Sequence, residues 1–340
     1  MRHQKGLGVV FAMLAFGATL AFAQNLGLET NGEAPPVGVT GTGLNPSQIA
    51  VLHWYDANQV TSFAVGKQSA EGPESMAFDG ANMWIVNGAD NTVTKLRVTD
   101  GAVQGVFATG NSPEGIAFDG ANMWVANYAD STVTKLRASD GTNLGTFNPF
   151  HLISHPLGIA FDGVSIWVVN SVATSGSYKV VKLSTSGQIR FTRTVGTFPL
   201  GIICDGVNLW VTNNSDNTVT KLVNGNTPTS FSVGRSPFGM AYDGANVWVA
   251  NFDDSTVTKL RASDGANLGT FATGPNPVGV AFDGANIWVS NQNGNSVTKL
   301  AASTGAQLGT FAVGTTPVAV TFDGTDIWVV NLGSNSVSKL

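Results

Sequence analysis

The sequence predicts an all-β fold, a seven-bladed β-propeller of four-stranded antiparallel blades, because one motif recurs through most of the chain. An Asp-Gly pair repeats at a period of about 40 residues, which is typical of propeller blades, with its aspartates at Asp79, Asp119, Asp162, Asp205, Asp243, Asp283 and Asp323. A tryptophan follows five residues after each aspartate, at Trp84, Trp124, Trp167, Trp210, Trp248, Trp288 and Trp328. An asparagine follows three residues later, at Asn87, Asn127, Asn170, Asn213, Asn251, Asn291 and Asn331. Seven copies in one register exclude coincidence.

One copy shows how four strands fit into this period. Residues 113–118 form a short apolar run, and the Asp119-Gly120 pair supplies a tight turn in which glycine accepts a positive φ. Residues 123–127 form the second strand, and residues 131–137, rich in Thr and Val, form the third. Residues 144–147 form the fourth strand, after another glycine-containing turn. Four short strands joined by tight turns predict one antiparallel blade.

Two other repeat architectures fit the sequence less well. A helical repeat requires a 3.6-residue apolar period, whereas glycine and β-branched residues interrupt every element here. A parallel β-helix is built from shorter repeats than these. The propeller is therefore the architecture that we expect.

The ends of the repeat region predict how the ring closes. The last copy stops at Leu340, after its third strand. A segment suited to be the missing fourth strand lies near the front of the chain, because Leu52 and Phe63 have the same spacing as Leu260 and Phe271. We therefore expect residues 60–66 to complete the last blade, which removes an exposed sheet edge that invites aggregation.

The N-terminal region has the features of a secretory signal peptide. In residues 1–23, Arg2 and Lys5 precede an apolar run, and Ala21-Phe22-Ala23 provides the small residues of a cleavage site. A membrane anchor is the alternative, but the apolar stretch of about 17 residues is at the short limit for a span. Residues 24–48 read as a flexible leader and residues 49–340 as the propeller. We expect an exported protein, periplasmic or extracellular, with no transmembrane span after cleavage.

The composition of the chain argues against several classes of function. The net charge of −5 argues against a general nucleic-acid binder. The single cysteine, Cys204, excludes an internal disulfide framework and a cysteine-rich zinc site, and we expect it to be a small buried apolar residue. No convincing metal-ligand spacing, nucleophile elbow or phosphate-binding loop occurs in the sequence. We therefore predict no cofactor and no bound metal.

Two motifs resemble known propeller repeats. The strands Trp210-Val211-Thr212-Asn213 and Trp328-Val329-Val330-Asn331 resemble the YVTN-type repeat. The surrounding pattern Pro-x-Gly-x-Ala-Phe-Asp-Gly resembles NHL repeats and the repeats of the virginiamycin B lyase family. The resemblance covers residues 52–340 and implies a propeller. It implies no single function, because such families include surface and sensor domains as well as lyases and lactonases.

Residues repeated in every copy are interpreted as structural. We expect the tryptophans to pack between blades and the asparagine side chains to bond the backbone of the turn that follows. Lysines recur in the third strand, at Lys95, Lys135, Lys221, Lys259, Lys299 and Lys339. We expect their stems to lie along the blade and their charged ends to lie in water.

Function is expected where the copies differ, on the face shared by the fourth-to-first and second-to-third connections. The residue after the blade's first proline varies and should lie at the mouth of the central channel, at Glu74, Glu114, Leu157, Leu200, Phe238, Val278 and Val318. Tyr128 and Phe252, just after the repeated asparagine, should be exposed aromatic side chains on the same face. The connection 148–155, which carries His151 and His155, and the turn 171–178 are longer than their equivalents.

Three functions remain open. The first is a non-catalytic binding or scaffold module for a protein or small ligand, with a face formed by Tyr128, His151, Leu157, Leu200, Phe238, Phe252, Val278 and Val318. The second is a metal-assisted lyase or lactonase, because the resemblance to virginiamycin B lyase implies a histidine acid–base group beside a carboxylate-held magnesium; its candidates are His155, Glu114 and Glu74. The third is a purely structural role in the cell envelope.

Overall fold

The computed structural model describes residues 61–66, 72–148, 152–174, 176–224 and 227–340. These residues form 28 β-strands in seven four-stranded antiparallel sheets, which confirms the predicted seven-bladed propeller. Every helix within these segments is a single 3₁₀ turn, and none is long and apolar enough to cross a membrane. The predicted signal peptide (1–23), the leader (24–48) and His151 lie outside the described residues.

The strands follow the repeat along the chain. In order they are β1 (Thr61–Ala64), β2 (Pro73–Phe78), β3 (Asn82–Asn87), β4 (Thr92–Arg97), β5 (Val103–Ala108), β6 (Pro113–Phe118), β7 (Asn122–Asn127), β8 (Thr132–Arg137), β9 (Asn143–Phe147), β10 (Pro156–Phe161), β11 (Ser165–Thr174), β12 (Ser177–Ser184), β13 (Ile189–Thr194), β14 (Pro199–Cys204), β15 (Leu209–Asn213), β16 (Thr218–Val223), β17 (Thr227–Ser232), β18 (Pro237–Tyr242), β19 (Asn246–Asn251), β20 (Thr256–Arg261), β21 (Asn267–Ala272), β22 (Pro277–Phe282), β23 (Asn286–Asn291), β24 (Ser296–Ala301), β25 (Gln307–Ala312), β26 (Pro317–Phe322), β27 (Ile327–Asn331) and β28 (Ser336–Lys339). The 3₁₀ turns are Asn214–Asp216, Gln292–Gly294 and Leu332–Ser334. Blades 1 to 6 are β2–β5, β6–β9, β10–β13, β14–β17, β18–β21 and β22–β25, and blade 7 is β26–β28 with β1.

The N-terminal strand closes the ring as predicted. β1 pairs antiparallel with β28, so that Thr61 lies opposite Lys339 and Ala64 opposite Ser336. Phe63 of β1 stacks on Trp328, with ring centroids 5.6 Å apart. Blade 7 is therefore assembled from both ends of the described chain.

The core lies between blades. A typical cluster joins Trp84 and Val93 of blade 1 to Met123, Val125 and Leu136 of blade 2. An equivalent cluster joins blade 7 to blade 1 across the closure. The repeated tryptophans are fully buried, apart from a slight exposure of Trp288. Each is thus a packing residue between sheets, as the sequence predicts.

Each tryptophan is held by the same three partners. In blade 2 the Trp124 indole donates to Asp119 Oδ2 at 2.7 Å, Lys135 Nζ lies 4.9 Å from the ring centroid, and the Phe147 ring is centred 5.7 Å away. The Asp–Trp hydrogen bond, the lysine and the fourth-strand phenylalanine recur in all seven blades. Each blade therefore contains the same cluster of an aspartate, a lysine and a phenylalanine around its tryptophan.

Three of the repeated lysines, Lys95, Lys221 and Lys259, are buried, which corrects the expectation that their charged ends lie in water. Lys221 is buried, and its ammonium group donates to the Ala262 carbonyl of the next blade at 2.6 Å. Lys339 makes the corresponding bond to the Val98 carbonyl at 2.9 Å, across the ring closure. These lysines join neighbouring blades because an ammonium group over an indole still has protons to donate.

The repeated asparagines also differ from the expectation. Asn127 donates from Nδ2 to the hydroxyls of Thr132 and Thr134 and accepts from the Gly110 amide through Oδ1. It therefore joins the third strand to the connection that enters its own blade, rather than bonding the turn that follows. In blade 2 these two elements supply partners for both ends of the fully buried Asn127 amide.

Within the longer second-to-third connection of blade 3, residues 171–174 and 177–178 belong to strands. β11 and β12 both extend beyond the usual six residues, and their register shifts between Asn170 and Thr174. Blade 3 consequently projects a longer hairpin from the face that carries the second-to-third turns.

Candidate functional site

The first strands of the seven blades surround a central channel of about 350 Å³. Its wall includes all seven variable residues that follow the first proline of each blade, namely Glu74, Glu114, Leu157, Leu200, Phe238, Val278 and Val318. The structure therefore brings these predicted residues together around one opening, which we call the channel mouth. The face of the ring around it, formed by the fourth-to-first and second-to-third connections, is called the mouth face.

The next residue in each first strand sets the width of the channel. A side chain on Gly115 would place its Cβ 2.2 Å from the Leu157 carbonyl oxygen of the neighbouring blade. Blade 1 has Ser75 at this position, and its hydroxyl donates to the Glu114 carbonyl. Adjacent first strands therefore approach too closely for larger side chains, which fixes the seven mouth residues in a tight circle.

A second ring lies immediately below the mouth. These residues are large, apolar and buried, and they also line the channel; they are Met76, Ile116, Ile159, Ile202, Met240, Val280 and Val320. A charged group entering the channel would lose its water without gaining a polar partner here. Polar recognition is accordingly confined to the mouth and its surroundings.

The rim of the mouth has a backbone feature that sequence analysis missed. The residue before the first proline is left-handed in six blades, with φ between 45° and 54°, at Ser112, His155, Phe198, Ser236, Asn276 and Thr316. Its carbonyl accepts from the residue after the repeated asparagine, as in the 2.8 Å bond from the Tyr128 amide to Ser112. The sequence carries no signal for this conformation, because ordinary side chains fill the position in these six blades and Gly72, its equivalent in blade 1, does not adopt it.

The two aromatic side chains predicted to be exposed are half-buried. Phe252 packs on Phe238 of the same blade, with ring centroids 5.1 Å apart. Tyr128 packs edge-on against His155 of the next blade at 5.0 Å. Each aromatic residue is thus held by a neighbour on the mouth face, and Phe252 is linked to the channel wall through Phe238.

The acidic part of the mouth belongs to blades 1 and 2. Glu74 lies beside Gly88, where an added Cβ would come within 3.3 Å of Glu74 Oε1. Gly88 stands at the position that Tyr128 and Phe252 fill in their blades, so its lack of a side chain leaves space for the carboxylate. Glu114 occupies the matching position of blade 2. Together the two glutamates form an acidic arc opposite an apolar wall.

The candidate residues for a lyase are not gathered into one cluster. Glu74 and Glu114 line the channel, whereas His155 does not and instead contacts Tyr128 and Ser154 on the rim. Across the described segments, no three His, Cys, Asp or Glu side chains lie close enough together to hold a metal ion. Cys204 is half-buried, and burial raises the pKa of its thiol, which makes it a weak nucleophile at neutral pH.

Solved structures with the same architecture include two enzymes and a set of WD40 repeats. Hydrazine synthase of Kuenenia stuttgartiensis superposes with a TM-score of 0.71 at 18% identity, over 81% of this chain and 97% of that one. A catalytically inactive virginiamycin B lyase from Staphylococcus aureus, solved with quinupristin, gives 0.71 at 18% identity over 83% and 98%. The WD40 repeats of RRP9 give 0.71 at 13% identity over 82% and 96%.

These similarities define the class of the protein by its fold. The chain is a seven-bladed repeat propeller, similar in architecture to virginiamycin B lyase. No protein family and no curated protein matches its sequence. The motif resemblance to YVTN and NHL repeats therefore stays a prediction.

Proposed function

We propose that this protein is an exported, non-catalytic binding module that holds a partner against its mouth face. The observation that carries this proposal is the composition of the channel mouth. Five of its seven variable positions hold apolar side chains that are only half-buried, namely Leu157, Leu200, Phe238, Val278 and Val318. Half-exposed apolar side chains gathered around one opening favour association with another molecule, because binding removes their remaining surface from water.

The division between constant and variable residues supports the same proposal. The repeated Asp, Trp, Lys and Asn side chains make contacts within and between blades. The mouth residues differ from blade to blade, so no side-chain type is required at this position by the repeat. A fixed frame that presents a few variable side chains is the arrangement expected of a binding surface.

A capture experiment tests this site. The variant Tyr128→Ala/Phe238→Ala/Phe252→Ala should lose proteins that the native chain retains from an extract of the source cells while it still unfolds in one cooperative transition, at a somewhat lower temperature because packed rings are removed. The matched control is Val164→Ala/Val207→Ala, because these valines are 75% and 65% exposed on turns of the opposite face. Partners that both variants retain, or that both lose, would refute the site.

Export is the second part of the proposal, and it is tested separately. The apolar run and the Ala21-Phe22-Ala23 site support cleavage of residues 1–23. Mass spectrometry of the protein from its natural source should show a mature chain that begins at Gln24. An intact N-terminus on cytoplasmic protein would overturn this part of the proposal and leave the mouth site untouched.

The alternative function is a metal-assisted lyase or lactonase, favoured only by the shared fold with virginiamycin B lyase. It predicts uptake of a divalent cation near Glu74, Glu114 and His155. Calorimetric titration with magnesium, calcium and zinc chlorides decides the question. Heat that disappears in the Glu74→Gln/Glu114→Gln variant would support the lyase, and the absence of heat would remove it.

A further inference from the structure

Charge is divided unequally between the two faces of the ring. Within the described segments, seven carboxylates lie at strand ends or turns of the mouth face, namely Glu74, Asp90, Glu114, Asp130, Asp216, Asp253 and Asp254. Only three basic side chains share that half of the molecule, and they are Lys179, Arg193 and Arg235. Among these described residues, the mouth face therefore carries more negative than positive charge.

The opposite face is balanced over the same described segments. Its eleven carboxylates are Asp79, Asp100, Asp119, Asp140, Asp162, Asp205, Asp243, Asp264, Asp283, Asp323 and Asp326. Its eleven basic side chains are Lys95, Arg97, Lys135, Arg137, Lys182, Arg190, Lys221, Lys259, Arg261, Lys299 and Lys339. The net negative charge of the described ring thus belongs entirely to the mouth face.

The three described basic residues of the mouth face belong to blade 3 and to the connection into blade 5, away from Glu74 and Glu114 of blades 1 and 2. Arg235 is paired with Asp254, with Nε 2.6 Å from Oδ1. Lys179 and Arg193 both belong to the outer strands of blade 3, and Arg193 lies over the Phe191 ring. Blades 1 and 2 contribute four of the seven carboxylates and, in their described residues, no basic side chain to this face.

We propose that the channel mouth docks a basic peptide segment of a partner protein, an inference that rests on the proposed binding function and names the chemistry of the partner. A lysine or arginine of that segment lies against the acidic arc of Glu74 and Glu114. A neighbouring apolar side chain lies against the Leu200 and Phe238 wall. Charge complementarity identifies the occupant, because an acidic surface around an apolar opening selects ligands that combine positive charge with apolar groups.

The spread of the carboxylates favours a peptide over a small amine. Asp90 and Asp130 lie in the second-to-third turns of blades 1 and 2, outside the channel wall, and Asp216 and Asp253 lie in the corresponding turns of blades 4 and 5. A small amine would reach only the glutamates at the mouth. A peptide with several basic residues engages the mouth and the surrounding turns together.

Fluorescence anisotropy with defined probes tests the inference. The probe is a short fluorescein-labelled peptide of alternating lysine and leucine, and the control probe replaces every lysine with glutamate. The native chain should bind the basic probe at least about tenfold more tightly, and added salt should weaken that binding because exposed charges are screened within about 10 Å at 0.1 M ionic strength. The Glu74→Gln/Glu114→Gln variant should weaken it about tenfold.

The matched control removes the same charge from the same two blades on the opposite face. Asp100→Asn/Asp140→Asn alters exposed carboxylates that pair with Arg97 and Arg137, and it should leave the affinity for the basic probe within about twofold of the native value. Equal affinity for both probes, an equal loss in both variants, or full competition by butylamine in place of the peptide would overturn the inference. The proposed function fails separately, if the Tyr128→Ala/Phe238→Ala/Phe252→Ala variant retains every captured partner.

Discussion

At the scale of single residues, one aspartate carboxylate in each blade accepts hydrogen bonds from several other groups of that blade. Asp243 accepts from the Trp248 indole at 2.8 Å and from the backbone amides of Ala245 and Asn246. Burial alone would raise the pKa of Asp243, but these hydrogen bonds outweigh it and the pKa is lowered. The same direction and causes apply to the aspartates of five further blades. The folded state therefore stabilises the charged form of these groups.

The first prediction concerns this carboxylate. Asp243→Ala leaves the indole N–H and two amides without their acceptor, and it should lower the free energy of unfolding by about 1–3 kcal/mol. Urea denaturation at neutral pH measures the loss. The charge-matched control is Asp253→Ala, which alters an exposed residue of the same blade and should change stability by less than about 0.5 kcal/mol.

The lowered pKa of Asp243 also predicts how the free energy of unfolding changes with pH. A carboxyl group whose folded-state pKa lies below its unfolded value of about 3.9 stabilises the protein above that pH, and this stabilisation is lost as the pH falls through the lowered pKa. The native chain should therefore lose stability steeply below about pH 4, and Asp243→Ala should lose less over that range. Parallel curves for Asp243→Ala and the native chain would contradict this account.

The second prediction separates the two roles of the repeated lysines. Lys259 lies 4.9 Å from the Trp248 ring centroid and also donates to the Ala302 carbonyl of the next blade. Lys299 lies 4.6 Å from the Trp288 centroid without such an interblade bond. Lys259→Met should consequently cost about 2 kcal/mol more than Lys299→Met, the contribution of a hydrogen bond to a charged group. Thermal and urea unfolding of both variants measure this difference, and equal losses would assign all of the effect to the contact with the ring.

The sequence predicts these residues unequally well. The burial of the tryptophans follows from one large apolar residue at the same position of every copy. The lysine contacts do not follow, because the indole face lies on an adjacent strand and the carbonyl acceptor belongs to the next blade. The pairing of Phe238 with Phe252 is likewise a matter of how two separate strands meet, so the sequence indicates two aromatic residues on one face but not their mutual burial.

At the level of elements, the connection into six of the seven blades holds a non-glycine residue in the left-handed conformation. Thr316 and Asn276 occupy equivalent positions before a proline, and both have φ of 54°. A left-handed conformation is unfavourable for a β-branched residue and far better tolerated by asparagine. Blade 7 therefore keeps a less suitable residue than blade 6 at the same point of the rim.

The third prediction exchanges these residues. Thr316→Asn should raise the free energy of unfolding by about 0.5–1 kcal/mol, because it relieves the strain without altering the turn. The reverse change, Asn276→Thr, should lower stability by at least as much. Differential scanning calorimetry of the two variants checks the pair, and a loss of stability in Thr316→Asn would contradict the assignment of strain.

Strand boundaries show where prediction from the sequence succeeds and fails. The four strands of a copy are marked by glycine-containing turns and short apolar runs, and β6 to β9 follow them closely. The extra residues 171–178 of blade 3 are predicted instead only as a lengthened second-to-third turn. The structure pairs Thr174 with Ser177, so that β11 and β12 run further than the repeat predicts.

The ring as a whole depends on a strand of four residues. β1 supplies the outer edge of blade 7, and Val65 beside it is buried in the cluster that joins blade 7 to blade 1. Without β1, β28 becomes an open edge with unpaired backbone groups. Closure also makes the stability of each blade depend on its neighbours on both sides.

The fourth prediction is the effect of removing this closure. A chain lacking residues 1–66 should melt at a markedly lower temperature and associate through the β28 edge, as seen by calorimetry and light scattering. If that chain cannot be produced, Phe63→Ala removes the stacking on Trp328 and should cost about 1–3 kcal/mol while β1 remains. Unchanged melting of the shortened chain would show that β1 does not hold the ring together.

The constant frame beneath the channel mouth makes this propeller a promising scaffold for engineering. Each blade presents one variable side chain on a backbone that is fixed by its own aspartate, indole and lysine. A library randomised at those seven sites would alter specificity while leaving the aspartate, tryptophan and lysine of every blade unchanged. Selection from such a library would yield new binders without redesign of the support.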